Sequence, residues 1–366
     1  MKALQSKTFN LRNRLASMPG GLGFLIGLIV VIAILPLFFK DSSYIMHILI
    51  ISLIWSGVVV GWDLMMGYAG IFTFAQVGIF VVGAYSSGML AKLNGIDPWL
   101  GVLLGGLASA LVGLIIGIPC LRLRGVYVAL VTFAFHLVLV PLIKLGGPIG
   151  TGGAMNLMGV PPLTVGGYTF TVIDKIPWFY LLLVVCALLY FLNYRVIHSK
   201  LGLAFTALRD SENLAKSVGV DDYKTSLKVF AFSSFLTGIL GGFYMQYVSV
   251  ISTRILGMDT FLLIMVMLIL GGLGRFPGAV LGAFGVTFLN YYLRPLENYR
   301  LVVFGLIVLL AVVFMPKGIM GLPDSARPYI KRAFTRLTRR RAVKPPEGLK
   351  LPSAEDLKDR GKEGQE

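Results

Sequence analysis

The chain has 366 residues, 56% of them hydrophobic and 14% charged, with a mean hydropathy of +0.82. A soluble protein carries roughly a quarter charged residues, so this balance excludes a disordered chain, a disulfide-stapled secreted domain and an ordinary cytosolic enzyme. Thirty-three Lys and Arg against 17 Asp and Glu give a net charge of +16. The basic residues fall outside the apolar runs, which suits a lipid surface and not nucleic acid. The expected class is a polytopic membrane protein. Cys120 and Cys186 lie in apolar surroundings and offer neither metal-ligand spacing nor a disulfide framework.

A helix needs about 20 mainly apolar residues to cross the hydrocarbon. In chain order such stretches cover 21–39, 44–62, 71–91, 99–118 and 126–145, then 177–194, 229–250, 259–270, 276–293 and 299–315. The eighth is short, which suits an earlier start or a partly re-entrant path. Ten spans place both termini on one side, and the charges agree. That side collects 26 of the 33 Lys and Arg: the N-terminus, Arg122 and Arg124, the 195–228 segment, Arg275 and the tail. The other side holds Lys40, Lys92, Lys144, Lys175, Arg254, Arg294 and Arg300. Cytoplasmic loops are enriched in Lys and Arg, so both termini are expected in the cytoplasm.

The chain thus divides into a basic N-terminus (1–20), a transmembrane domain (21–322) and a cytoplasmic tail (323–366). Lys2 to Arg14 precede an apolar run long enough to span, with no clear small-residue cleavage site, so a retained first span is expected and not a cleavable signal. In the tail, Ile330, Phe334 and Leu337 recur at helical spacing among basic residues, a pattern for a helix lying on anionic lipid. From Pro345 the composition turns polar and predicts disorder.

Forty-four glycines are too many for loops alone. Gly23/Gly27, Gly101/Gly105, Gly113/Gly117 and Gly278/Gly282 sit four apart within spans, where small residues let helix backbones approach closely. Two clusters differ because they interrupt apolar runs: Gly67-Tyr68-Ala69-Gly70 and Gly271-Gly272-Leu273-Gly274. Each glycine weakens a helix by about 1 kcal/mol relative to alanine. Non-helical backbone at membrane depth persists only inside protein or beside a water-filled cavity, and breaks at matching places in two halves point to a transport path. A shift of 204 residues superposes Gly67 on Gly271, Gly70 on Gly274, Phe72 on Phe276 and Gly78 on Gly282. That match fits either a parallel internal repeat or simply two tight turns.

Ionisable residues within spans are costly and suggest function by default. His47 lies near a span end, an interfacial position. Asp63 starts the first glycine break and can bond its freed backbone groups or line a path. His136 is mid-span. The Gly146–Gly153 run has no following Gly-Lys-Ser/Thr and is not a phosphate loop. With no metal-ligand cluster and no nucleophile–base arrangement either, neither a catalytic residue nor a metal nor a cofactor is expected.

The 195–228 segment is the longest internal connection. Leu203, Leu208, Leu214 and Val218 form an apolar face, with Arg209, Glu212 and Lys216 turned outward. Ser211 is placed to cap a short helix and Gly219 to stop it. A partner-docking element and a solvated surface loop both fit this pattern.

Within that segment, "ALRDSENLAKSVGV" resembles the coupling segment of ABC-importer permeases. With "GWDLMMGYAGIFTFAQVGIFVVGAY", "LRLRGVYVALVTFAF", "LILGGLGRFPGAVLGA" and "FMPKGIMGL" in order, the chain is similar to the branched-chain amino acid ABC-importer permeases, and to their larger M-type subunit. The resemblance implies a permease in the inner (plasma) membrane, a second related permease, two ATPase subunits and an external solute-binding protein. Glu212, Ala215 and Gly219 match the family's coupling pattern, with Arg209 beside it, while the wider superfamily's downstream Ile-x-Leu-Pro is missing. Family members commonly follow Gly-Tyr-x-Gly with Gln and Ser. Here Ile71-Phe72-Thr73-Phe74-Ala75-Gln76 stands instead. The expected translocation path takes in Gly67, Tyr68, Gly70, Thr73, Gln76, Thr132, His136, Gly271, Gly272 and Gly274. Two other classes remain open on the residues alone: an ion-coupled secondary transporter using Asp63 and His136, and a membrane scaffold.

Overall fold

The computed structural model describes residues 22–123, 125–296, 299–314 and 318–319. The chain divides into two units, Met1–Gly321 and Leu322–Glu366. The expected basic N-terminus, the amphipathic helix of the tail and its disordered end lie outside the described residues.

The protein is an all-α polytopic membrane bundle, and each of the ten predicted apolar stretches holds a helix. These are α1 (Leu22–Phe38), α2 (Ser43–Asp63), α3 (Gln76–Leu93), α4 (Pro98–Cys120), α5 (Val126–Leu145) and α6 (Lys175–Ile197). After two short helices, α7 (Lys200–Asp210) and α8 (Glu212–Ser217), come α9 (Asp222–Val248), α10 (Met258–Gly271), α11 (Gly278–Tyr292) and α12 (Arg300–Phe314). Five are long and apolar enough to cross a membrane unaided: α2 with the turn that extends it, α4, α5, α6 and α9. At 14 residues, α10 covers about 21 Å, short of the roughly 30 Å of hydrocarbon. The short eighth stretch is therefore a helix that stops within the bundle at a glycine break.

Helix α2 is the hub, its residues buried almost without interruption from Ile48 to Asp63. Helices α6, α9 and α11 pack around it, and α9 also lies along α3 and α4. Glycines set that last approach. A side chain at Gly83 would strike the Gly238 backbone, one at Gly241 the Phe80 carbonyl, and one at Gly105 would come within 2.6 Å of the Gly83 carbonyl. Gly113 lies against Ser234, Gly117 against Leu227, and Gly282 against Met267 and Gly271. The four-residue spacings on α4 and α11 are thus packing contacts. Gly23 and Gly27 are the exception, facing open space because α1 turns that stripe away from the rest of this chain.

The long 146–174 connection is irregular and pinned from its sides. Its hairpin pairs β2 (Thr164–Val165) with β3 (Tyr168–Thr169) around Gly166 and Gly167. Both glycines have positive φ, +55° and +87°, as a two-residue hairpin turn requires. Ahead of it β1 (Leu157–Met158) pairs antiparallel with β4 (Val250–Ile251). The Trp99 and Trp178 ring N–H groups donate to the Thr164 and Thr171 carbonyls at 2.9 and 3.0 Å. These two-residue strands are the only β structure among the described residues.

The close backbone approach makes a direct prediction. Gly241→Leu should destabilise the purified protein by about 2 kcal/mol or more through overpacking. Gly285→Leu, which points into open space, should leave the thermal midpoint undiminished in the same detergent.

Candidate functional site

Both predicted glycine breaks exist, and they meet. Helix α2 does not end at Asp63 but passes into one π-helical turn, Leu64–Tyr68, before the chain runs without helix from Ala69 to Ala75. The turn closes through Ala69 N–H to the Leu64 carbonyl (3.1 Å) and Ile71 N–H to the Met65 carbonyl (2.9 Å). Gly70 follows at φ +71°. The second break begins where α10 stops: Gly272 and Gly274 have φ of +99° and +67°, and helix resumes at Gly278.

Interrupting a helix in a membrane frees backbone groups that lipid cannot satisfy. Here the first break supplies the partners for the second. Asp63 Oδ1 accepts the Gly274 N–H at 2.7 Å, and the Tyr68 hydroxyl accepts the Phe276 N–H at 2.9 Å. Asp63 is 1% exposed. A side chain at Gly67 would collide with both Asp63 and the Gly274 backbone, so the closeness of the two breaks requires glycine there. Asp63 thus bonds freed backbone as expected, but that of the other break, 211 residues away.

A third element joins from outside the bundle core. Arg209, in the last turn of α7, donates from Nη1 to the Gly67 carbonyl. A Cβ on Gly70 would fall 2.7 Å from Arg209 Cγ, and one on Gly274 would fall 3.1 Å from Arg209 Nη1. The guanidinium therefore sits in a cradle lined by the glycines of both breaks. Arg209 is exposed and pairs with Asp210 at 3.3 Å, as the outward reading expects, and the bond to Gly67 is an additional partner. Helical periodicity alone does not register a backbone carbonyl as a target.

The 195–228 segment forms two helices, not one. Ser199 Oγ caps α7 by accepting the Leu201 and Gly202 N–H groups at 3.2 and 3.4 Å. Ser211 is extended (φ −162°) and separates α7 from α8, but its side chain makes no cap bond, which corrects its assigned role. Gly219 does end α8, in left-handed geometry at φ +86°, with Val220 N–H returning to the Ala215 carbonyl at 3.1 Å. Ala215 is buried, and Glu212 pairs with Lys216 at 2.5 Å. That bond holds the Lys216 ammonium above its usual pKa. The Lys224 N–H, bonded to the Asp221 cap at the start of α9, holds the Asp221 carboxyl below its own. Leu203, Leu214 and Val218 remain exposed.

The polar candidates are buried, and they do not share one surface. The Trp62 ring N–H donates to the Thr73 carbonyl (2.8 Å) and the Phe74 N–H to Thr132 Oγ1 (2.9 Å), so both threonines fasten the non-helical 69–75 stretch. Gln76 turns its amide to Thr237 and Ser233 on α9 and leaves Oε1 without a partner. His136 Nε2 is 3.0 Å from the Leu256 carbonyl, and Nδ1 has no partner. His47 lies near the start of α2 and is half-buried, at the span end where the sequence placed it. Its ring lies between the Tyr247 and Tyr291 hydroxyls, 2.7 and 3.1 Å away, at the end of α2 opposite the break.

A helical membrane bundle whose two broken helices are bonded to each other and to a peripheral helix has the build of a transport protein. The family described as "Branched-chain amino acid transport system / permease component" matches residues 44–312, and the chain belongs to it. It is 26% identical over 330 residues to the high-affinity branched-chain amino acid transport system permease protein LivM of Salmonella typhimurium, covering 84% of this chain and 76% of that one. LivM of Escherichia coli is 25% identical over the same shares. A probable branched-chain amino acid transport permease protein LivH of Methanocaldococcus jannaschii is 28% identical over 268 residues, 68% of this chain and 82% of its own. No solved structure matches.

The Asp63 bond is directly testable. Asp63→Ala leaves the partly buried Gly274 N–H without its acceptor and should cost about 1–3 kcal/mol. Asp63→Asn keeps an acceptor oxygen and should recover most of that loss, read as thermal midpoints in one detergent.

Proposed function

We propose that the chain is a transmembrane permease subunit of an ATP-driven importer of branched-chain or related hydrophobic amino acids. It works with a second homologous permease, two ATPase subunits and an external solute-binding protein. It lies in the inner (plasma) membrane with both termini cytoplasmic, as the Lys and Arg distribution favours. ATP hydrolysis belongs to the partners, and similarity to both M-type and H-type chains supports a pair of related permeases.

The carrying observation is the Arg209 bond to the Gly67 carbonyl. An ATPase groove takes the exposed Leu203, Leu214 and Val218, while Glu212, Ala215 and Gly219 keep α8 a compact, closed turn. Force applied there reaches α7 and, through Arg209, the junction of both broken helices, whose Gly67, Tyr68, Gly70, Gly271, Gly272 and Gly274 backbone rearranges as the path switches sides. Thr73, Gln76, Thr132 and His136 line or brace that path. The ion-coupled alternative is disfavoured because its two candidate groups, Asp63 and His136, are held by backbone partners.

Arg209→Ala in the assembled transporter, reconstituted in vesicles, should cut amino acid uptake about tenfold or more, the loss of one charged hydrogen bond. ATP hydrolysis should continue. Wild-type uptake should survive a proton ionophore while ATP lasts. Undiminished uptake by the variant contradicts the coupling role, and ionophore-sensitive uptake favours the ion-coupled carrier.

A further inference from the structure

At the other end of α2 from the glycine junction lies a cavity of about 500 Å³, walled by α2, α9, α10, α11, α12 and the link between α9 and α10. Helix α5 shows how deep that link reaches. His136 is the eleventh of the 20 residues of α5, about 15 Å along it, and its Nε2 is 3.0 Å from the Leu256 carbonyl of the link. The link from Ser249 to Gly257 thus reaches toward the middle of a span with only a short strand and one 3-10 turn in place of α-helix. Arg254 of that turn is exposed and lies on the cavity wall. Asn290 adds a buried carbonyl oxygen, Oδ1, with no hydrogen-bond partner among the described residues.

Irregular backbone and a charged side chain at membrane depth persist only against protein or water. Lipid chains or a dry void would leave the Arg254 head group and Asn290 Oδ1 desolvated without compensation. Water serves both, and the volume admits on the order of ten molecules. We propose that this cavity is a water-filled vestibule open to the external side, and that solute enters the permease here, along the face of α10 turned to α2 and α11. Thr260 and Leu263 carry that face. Phe261 stands a little over half a turn from Leu263 and packs on the other side, its ring 5.5 Å from Phe133 and 5.6 Å from His136 of α5. Helix α10 thus parts the vestibule from the α5 side, where Thr132 and His136 brace the bundle without meeting the entering solute. The entry route rests on the proposed reading of the chain as a permease, whereas the water in the cavity does not.

The test is cysteine accessibility in the assembled transporter, in right-side-out vesicles without ATP. Cys120 and Cys186 are buried and leave a low background. A methanethiosulfonate bearing a quaternary ammonium cannot cross lipid and attacks the thiolate, which forms in water and not in hydrocarbon. Thr260→Cys and Leu263→Cys should react with it at least about tenfold faster than Phe261→Cys. They should outpace Leu111→Cys, exposed on the surface of α4, by as much. Modified Leu263→Cys should then lose amino acid uptake. Unreactive Thr260→Cys and Leu263→Cys in protein of unchanged thermal midpoint, or reaction only with membrane-permeant N-ethylmaleimide, overturn the external vestibule. Equal reaction at Phe261→Cys, or undiminished uptake after modification, overturns the entry route. The labelling needs neither ATP nor solute, so its outcome is separate from whether the chain imports amino acids.

Discussion

A backbone N–H or carbonyl exposed to hydrocarbon costs several kcal/mol, and this protein interrupts two of its apolar runs with non-helical backbone. The arrangement stands because the breaks complete one another: Asp63 and Tyr68 from the first accept the N–H groups of Gly274 and Phe276 in the second. Without the first break, the Gly274 and Phe276 N–H groups of the second would lose these acceptors. The two glycine clusters are therefore one structural unit divided between distant parts of the chain.

That unit lies where a peripheral helix can reach it. Arg209 closes a chain of direct bonds from α7 to Gly67, and Gly67 touches Gly274 with no room for a side chain. Helices α2 and α10 both run from the cavity end to the junction end, so the two broken units point the same way.

Much of this was legible in the sequence, and the reasons are physical. Apolar stretches located the helices because lipid demands length and hydrophobicity, and glycine clusters located the breaks because consecutive glycines oppose helix. Gly219 was readable as a stop because left-handed backbone favours glycine. What periodicity could not supply was pairing across the chain. Asp63 was assigned to backbone bonding, but nothing local named Gly274, 211 residues away. Arg209 was turned outward, and it is exposed beside Asp210, but its further partner, the Gly67 carbonyl, is invisible to a hydropathy pattern. Ser211 has the right chemistry for a cap, but its side chain makes no cap bond. His47 does lie near a span end, but nothing local named the two tyrosines from distant helices that flank its ring. The four polar candidates, Thr73, Gln76, Thr132 and His136, were singled out as intramembrane polar residues, a signal that does not distinguish bracing from lining.

The most direct test of the mechanical account is hydrogen exchange at the Gly274 and Phe276 amides, the two N–H groups that the first break holds. In the assembled transporter their protection should change when a non-hydrolysable ATP analogue binds the ATPases, and that response should vanish in Arg209→Ala. Protection that ignores nucleotide in the wild type, or responds equally in the variant, would contradict a junction driven through Arg209.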